Sequence, residues 1–414
     1  MASLEERKLG KLHWPLILSV SAIAGLGVWN LASAGRLEGG ELWLVQLRNL
    51  AFGTILVVIS LFLDYRMLRS LVWPIYGAAL LMLVLVHFQG HKVMGAQRWL
   101  QFGPLNLQPS EFAKIGVILV LARYFADNPS EDRIVRRAPV VAALSWWWRQ
   151  RWAKTVADWK GALVPPQPPP RPDRPVRISG YHLRALILPF VLLLVPVAMV
   201  VKQPDLGTGL VTMAIGGSII LFAGLTGGTL FTLVSTGAVG SVVAWGYLLK
   251  RYQKDRILTF LDPEGDALGK GYHAIQSLIA VGSGQLWGKG HGNGTQNQLQ
   301  FLPEQHTDFA FPVWAEEHGF VGSAVLVVLF LFLVLSALDI ASKARDRFGA
   351  YLAFGAAALF FWHAFINIGM VTGVLPVVGV PLLLVSYGGS SAVLTMLTIG
   401  VLLNVALRRT QFQS

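Results

Sequence analysis

The chain contains no cysteine, so neither disulfide bridges nor thiolate metal sites can form, and nothing about redox compartment follows from it. Charge is scarce as well. Only 14% of the 414 residues are Asp, Glu, Lys or Arg, against roughly 25% in ordinary soluble domains. Also missing are a P-loop, a Rossmann glycine signature, an HExxH pair and any Cys/His metal framework. Nucleotide-driven chemistry therefore has no visible seat, and the energy for any reaction must come from the substrate or from an ion gradient. No signal-peptidase-like site follows the first apolar run, which is read as a retained span.

What fills the chain instead is apolar: 54% of residues are hydrophobic and the mean hydropathy is +0.55. This is the composition of an all-α polytopic membrane protein. Runs long enough to cross about 30 Å of hydrocarbon are expected at 14–34, 45–64, 69–88, 110–126, 183–201, 206–223, 228–249, 319–339, 349–371 and 380–407, about ten spans in a single membrane domain covering 1–414. The net charge of +12 and pI of about 10.0 would suggest nucleic acid in a soluble protein. Here the basic residues fall in loops: Arg7, Lys8 and Lys11, then Arg66 and Arg69, then Lys343, Arg345 and Arg347, then Arg408 and Arg409. The positive-inside rule puts those loops and both termini in the cytoplasm. Contact with anionic lipid, and no nucleic acid, is the better account of the charge.

Two connections are too long for turns. Residues 127–181 form an expected cytoplasmic insert. Its centre carries Trp148, Trp152 and Trp159 at helical spacing among basic residues, which fits a helix in the membrane interface or a short helix packed on the protein's own cytoplasmic side. The PPQPPPRPDRP stretch that follows reads as a stiff, extended linker. Residues 250–307, expected to form an extracytoplasmic loop between the seventh and eighth spans, are rich in Gly, Gln and Asn. A polar loop of this size is more often functional than idle.

That loop runs into the densest polar island of the chain, residues 293–317, NGTQNQLQFLPEQHTDFAFPVWAEE, where His306, Thr307 and Asp308 meet the next span. Ionisable groups at a membrane edge are costly and mark a functional site by default. Asp308 suits a general base acting on a substrate hydroxyl; Thr307 or Asp308 equally suits a helix N-cap. On the same expected face lie Arg98, Trp99 and Gln108, then Glu111 and Lys114, three apart and so neighbours on one helix face. The pair reads as part of a site or as a buried ion pair that fixes packing. Lys202 and Asp205 mark another outer loop, with a turn or cap the favoured reading of Asp205. The stretch 367–391 interrupts the last two spans with Gly, Pro and small hydroxyl residues, Ser386 among them. Such breaks are tolerated at membrane depth only inside protein or along a cavity.

At these residues the chain resembles the SEDS family of cell-wall polymerases. The matching stretches, in family order, are GAQRWL (95–100), QPSEFAK (108–114), QPDLGTG (203–209), LDPEGDALGKGYHAIQS (261–277), GSGQLWGKGHGNGTQNQLQFLPEQHTDF (282–309), EEHGFVG (316–322) and NIGMVTGVLPVVGVPLLLVSYGGSS (367–391). LPVVGVP looks like the elongation type, since division-type members usually carry an LPTKG-like sequence there. The resemblance implies a ten-span enzyme of the bacterial cytoplasmic membrane that polymerises lipid II, adding to an undecaprenyl-diphosphate-linked glycan. It also implies a class B penicillin-binding protein and other elongation-complex membrane proteins as partners. The family's essential aspartate falls on Asp308, its tryptophan on Trp99 and its Glu–Lys pair on Glu111 and Lys114. Arg98, Lys114 and Lys202, or a divalent cation (Mg or Mn), are then candidates to stabilise the departing diphosphate. Gln108, Asp205, His306, Thr307 and Ser386 complete the expected substrate-binding set. The chain departs from the pattern at Ala310 and Pro312, at Leu383 where proline is common, and in its long insert. Two rivals remain: a carrier moving lipid II across the membrane, and a scaffold that docks the wall-building machinery through the insert.

Overall fold

The computed structural model describes residues 12–35, 41–93, 96–102, 105–130, 132–136, 175–263, 265, 271–299, 301–302 and 305–408. The Trp-bearing centre of the insert, its Pro-rich run, the basic N-terminal residues and Arg409 lie outside them. The described chain is a helical membrane bundle: α1 (Trp14–Ala34), α2 (Leu42–Phe62), α3 (Tyr65–Gln89), α4 (Pro109–Asp127), α5 (Ile187–Lys202), α6 (Leu206–Phe222), α7 (Gly227–Val243), α8 (Arg251–Leu261), α9 (Gly271–Ser283), α10 (Thr295–Gln298), α11 (Ala310–Ser342), α12 (Arg347–Val371) and α13 (Gly389–Arg408). Eight of the described helices are long and apolar enough to cross a bilayer. α6, at 17 residues, is short, and α4 carries Glu111, Lys114, Arg123 and Asp127. The expected count of ten rests on including these two.

α4 is the centre of the bundle. Pro109 opens it at a position where no intrahelical N–H is needed, and α3, α5, α6 and α12 pack around it. The helices cross closely where side chains are small. A Cβ on Gly355 of α12 would stand 2.5 Å from the Ile118 side chain of α4, so glycine permits the approach that dispersion between helices requires.

One expectation is corrected by the backbone, and two small sheets stand beside the helices. The last span does not start at 380: residues 378–388 are non-helical and α13 begins at Gly389. The connection before α4 forms three short antiparallel strands, β1 (His91–Val93), β2 (Ala96–Phe102) and β3 (Leu105–Leu107). The ends of the insert pair as β4 (Asp132–Arg136) with β5 (Pro175–Ser179).

α11 runs 33 residues, about 50 Å at 1.5 Å per residue, too long for one span. It is broken at Gly319 (φ +65°, ψ −163°), a conformation open to glycine alone. The break frees backbone groups that must be satisfied at membrane depth. The glycine-rich loop 285–290 does so: Phe320 and Val321 donate to the Gln285 and Leu286 carbonyls, while Lys289 and Gly290 donate to those of Glu316 and Glu317. Gly284 and Gly288 allow the approach, for a Cβ on either would fall 2.1 Å from an α11 carbonyl oxygen.

Candidate active site

Five residues of the interrupted segment, Val377–Pro381, gather the site. The Val377 carbonyl accepts from Arg256 of α8 at 3.1 Å. Val378 and Gly379 lie against the start of α6, where a Cβ on Gly207 would be 2.5 Å from the Val378 oxygen. The Val380 carbonyl accepts from Asn367 Nδ2 at 2.6 Å, and the Pro381 carbonyl meets His363 Nδ1 at 3.1 Å. Gly379 takes φ +75°, and a Cβ there would be 3.0 Å from Asp308 Oδ2. Extended backbone whose carbonyls are met by side chains is what membrane depth demands.

Asp308 sits where this segment meets α11. Its backbone carbonyl accepts from Asn367 Nδ2 at 2.9 Å, so one amide ties the aspartate to Val380. The residue is half-buried, as are His306 and Thr307. The His306 carbonyl accepts from Tyr387 N–H at 2.7 Å, and the two rings stand edge to face at 6.0 Å. α11 begins at Ala310 with Phe309 in the N-cap position, so neither Thr307 nor Asp308 occupies it. Pro312 falls in the first turn, where a missing N–H costs nothing, and the Ala310 carbonyl is held by Asn30 at 2.8 Å. The departures at 310 and 312 thus leave the helix start intact.

Glu111 and Lys114 form the buried pair that their spacing allowed, at 2.7 Å, and Lys114 Nζ also lies 2.7 Å from His363 Nε2. Lys114 and His363 are both 1% exposed. His363 and Asn367, four apart on α12, reach adjacent carbonyls of the segment, so the ion pair and the aspartate share one rigid support.

Asp205 caps α6 by accepting from Thr208 N–H at 3.3 Å, as the turn reading expected. It is also buried among Gln108, Ser110 and Arg98, the last at 3.8 Å. Arg98 donates to the Pro204 carbonyl and keeps 31% of its side chain exposed. The neighbouring Trp99, in β2 across from His91, is half-buried. Lys202, in the last turn of α5, is exposed.

The family model for the FtsW/RodA/SpoVE cell cycle proteins matches residues 14–149 and 175–411. The chain belongs to this family. It is 34% identical over 396 residues to the peptidoglycan glycosyltransferase MrdB of Escherichia coli (strain K12), covering 95% of this chain and 92% of that one. Among solved structures it is similar to a chain of a peptidoglycan synthase complex described as coordinating polymerization and crosslinking (TM-score 0.72, 30% identity, 96% and 98% covered). It is also similar to the rod shape determining protein RodA of Thermus thermophilus (TM-score 0.62, 28% identity, 96% and 97% covered). Residues 150–174, outside the family match, lie within the insert.

In this FtsW/RodA-family chain one expected ligand residue turns inward. Ser386 is buried, its Oγ accepts from Leu382 N–H at 2.9 Å, and its carbonyl accepts from Gln46 at 3.3 Å. It closes the turn that holds Leu384 at φ +67°, a conformation costly for a branched side chain. Ser386 therefore supports the segment and presents no hydroxyl to a substrate. Among the described residues no three His, Asp or Glu side chains converge as metal ligands. A divalent cation would draw most of its ligands from substrate phosphates, the usual habit of magnesium.

Asn367, His363 and Arg256 were not singled out from sequence, and Glu316 and Glu317 entered only as the end of the polar island, with no role assigned. The two glutamates pin the loop before α11. Glu316 Oε1 accepts from Lys289 at 2.6 Å, Thr295 at 3.0 Å and Gln296 N–H at 3.2 Å. Glu317 meets His291 at 3.3 Å and accepts from Ser33. Adjacent acids beside a glycine in an apolar run were the signal available.

Proposed function

We propose that this chain polymerises lipid II into β-1,4 glycan strands during cell elongation, with Asp308 as the general base on the outer face of the bacterial cytoplasmic membrane. Family membership makes it a membrane-embedded peptidoglycan glycosyltransferase. One observation carries the residue assignment. Of the acids drawn to the Val377–Pro381 segment, Glu111 and Asp205 are buried in ion pairs, whereas the Asp308 residue stays half-exposed. A base must reach its proton, and the two buried carboxylates are closed off from a substrate.

The acceptor is the 4-hydroxyl of the GlcNAc of lipid II. As its oxygen attacks the anomeric carbon of the undecaprenyl-diphosphate-linked chain, the proton passes to the Asp308 carboxylate. The new C–O bond forms as the bond to the diphosphate oxygen breaks, and the configuration inverts. Exposed cations lower the barrier by meeting charge that develops on the leaving group; Lys202 and the part-exposed Arg98 are the candidates for this. Lys114, sealed in its pair with Glu111, ties α4 to His363 of α12. Trp99, Gln108, His306 and Thr307 are assigned to sugar or phosphate.

Charge supports this side of the membrane. The opposite end of the bundle collects Arg66, Arg69, Arg123, Arg184, Lys343, Arg345, Arg347 and Arg408 at helix ends, and the positive-inside rule favours the cytoplasm for that end and for both termini. The partner expected on the outer face is a class B penicillin-binding protein, within an assembly of other elongation-complex membrane proteins. The test is lipid II polymerisation by purified chain with and without that partner. Wild-type protein should form glycan and folded Asp308→Asn should not; normal rates from the variant would sink the assignment. A carrier would instead move lipid II across vesicles without polymerising it.

A further inference from the structure

At the arginine-rich end, remote from the site above, lies a cavity of about 650 Å³ whose lining includes His182, Arg184, Thr226, Thr229 and Thr232. Its floor is fixed. Tyr181 N–H donates to Gly224 and Thr226 N–H to Tyr181, so the chain before the Leu183–Leu186 turn is stitched to the chain before α7. Gly180 permits this, since a Cβ there would stand 2.9 Å from the Leu225–Thr226 backbone. The buried Tyr181 hydroxyl donates to the Asn128 carbonyl; burial pushes its phenol up to about 12, so that donor stays protonated.

Two features of this cavity suit an anionic ligand. No described carboxylate pairs with Arg184, although Arg66, Arg69, Arg123, Lys343 and Arg408 at the same end each face an aspartate. Thr226 caps α7 by accepting from Thr229 N–H at 3.3 Å, and the two hydroxyls share one hydrogen at 2.8 Å, which leaves one hydroxyl hydrogen of the pair uncommitted between them. Beyond the rim, α7 stands nearly clear of the bundle. Only 6% of the apolar stretch of Gly227–Tyr247 is buried, and Leu230, Phe231 and Val234 are exposed. A cationic pocket with a hydroxyl donor thus continues into an apolar wall, the complement of an amphiphile with an anionic head.

We propose that the cavity seats the phosphate headgroup of an anionic glycerophospholipid, held by Arg184, His182 and the Thr226–Thr229 hydroxyl pair, with its acyl chains along the exposed side of α7. The expected side is the cytoplasmic leaflet, where anionic headgroups and basic loops meet.

Native mass spectrometry of the full purified chain tests this, with equal amounts of phosphatidylglycerol and phosphatidylethanolamine offered in detergent. Wild-type protein should retain phosphatidylglycerol preferentially. His182→Gln with Arg184→Gln should lower that retention roughly fivefold or more, and Arg66→Gln, at the same end but paired with Asp346, should leave it unchanged. Thr232→Leu fills the pocket with every charge intact and should also lower it, which keeps the proposal testable if the double variant does not fold. Equal retention of the two lipids, or retention indifferent to both pocket variants, overturns the proposal. Displacement of the lipid by millimolar inorganic phosphate would assign the pocket to free phosphate and overturn the lipid assignment.

Discussion

The two ends of this bundle both carry ionic pairs, of opposite kinds. At the arginine-rich end the pairs are exposed or half-buried: Arg69 with Asp127, Lys343 with Asp339, Arg408 with Asp64. The first and last join neighbouring helix ends, the second closes the end of α11, and all three keep contact with solvent. At the Asp308 end, Glu111, Lys114 and Asp205 are inside the protein, and Lys114 and Asp205 each have a further partner, His363 and Thr208 N–H, that fixes their geometry. Exposed pairs contribute about 0–1 kcal/mol each. A buried pair adds little net stability, yet losing one partner strands a charge. The difference teaches that charge at one end sets topology, whereas charge at the other holds the packed helix starts in shape at the expense of tolerance to change.

Four substitutions can break or sharpen that contrast. The largest effect is expected from Asp308→Asn, which should reduce lipid II polymerisation by about 10²–10⁴, the usual contribution of a positioned general base, with thermal unfolding in detergent unchanged. Next, Lys114→Met should cost about 3–5 kcal/mol through the stranded Glu111 carboxylate, read as a lower unfolding midpoint. Converting Glu111 and Lys114 together to leucine should recover most of it; a double variant no more stable than the single one would refute the stranded-charge account. Asn367→Ala removes the amide shared by Asp308 and Val380. A slightly displaced base should lose roughly ten- to a hundredfold in turnover, with substrate affinity little altered. A pure rise in KM would show instead that Asn367 contacts substrate. The smallest effect belongs to the other end: Arg69→Gln should change the unfolding free energy by less than about 1 kcal/mol.

Membrane helices are legible in sequence because apolar length alone specifies them. α1, α2, α3, α5 and α12 fall within a few residues of expectation, and Asp205 capped α6 as its position after Pro204 suggested. Legibility failed where apolar sequence is not helical. VPLLLVS reads as the start of a span by composition, yet the turn closed by Ser386 at Leu384 and the carbonyls claimed by His363 and Asn367 keep it out of a helix. It failed again at Gly319, where a broken ladder is repaired by a loop thirty residues earlier in the chain. Asn367 sits within an apolar run and does not announce itself, and Glu316 was legible only as one acid of the polar island.

By itself the amino-acid order determined that this chain lives in a membrane, which end carries the positive charge, and, through the family likeness, which aspartate to suspect. Hydropathy and charge are sums over local residues, so local sequence suffices for them. Only the tertiary structure decided that Val377–Pro381 is the shared anchor of Asp308, His363, Asn367, Gly207 and Arg256. Those residues are up to about 170 positions apart in sequence. Their meeting depends on helices packing closely enough for backbone carbonyls, barred from water, to take side chains from other helices as partners.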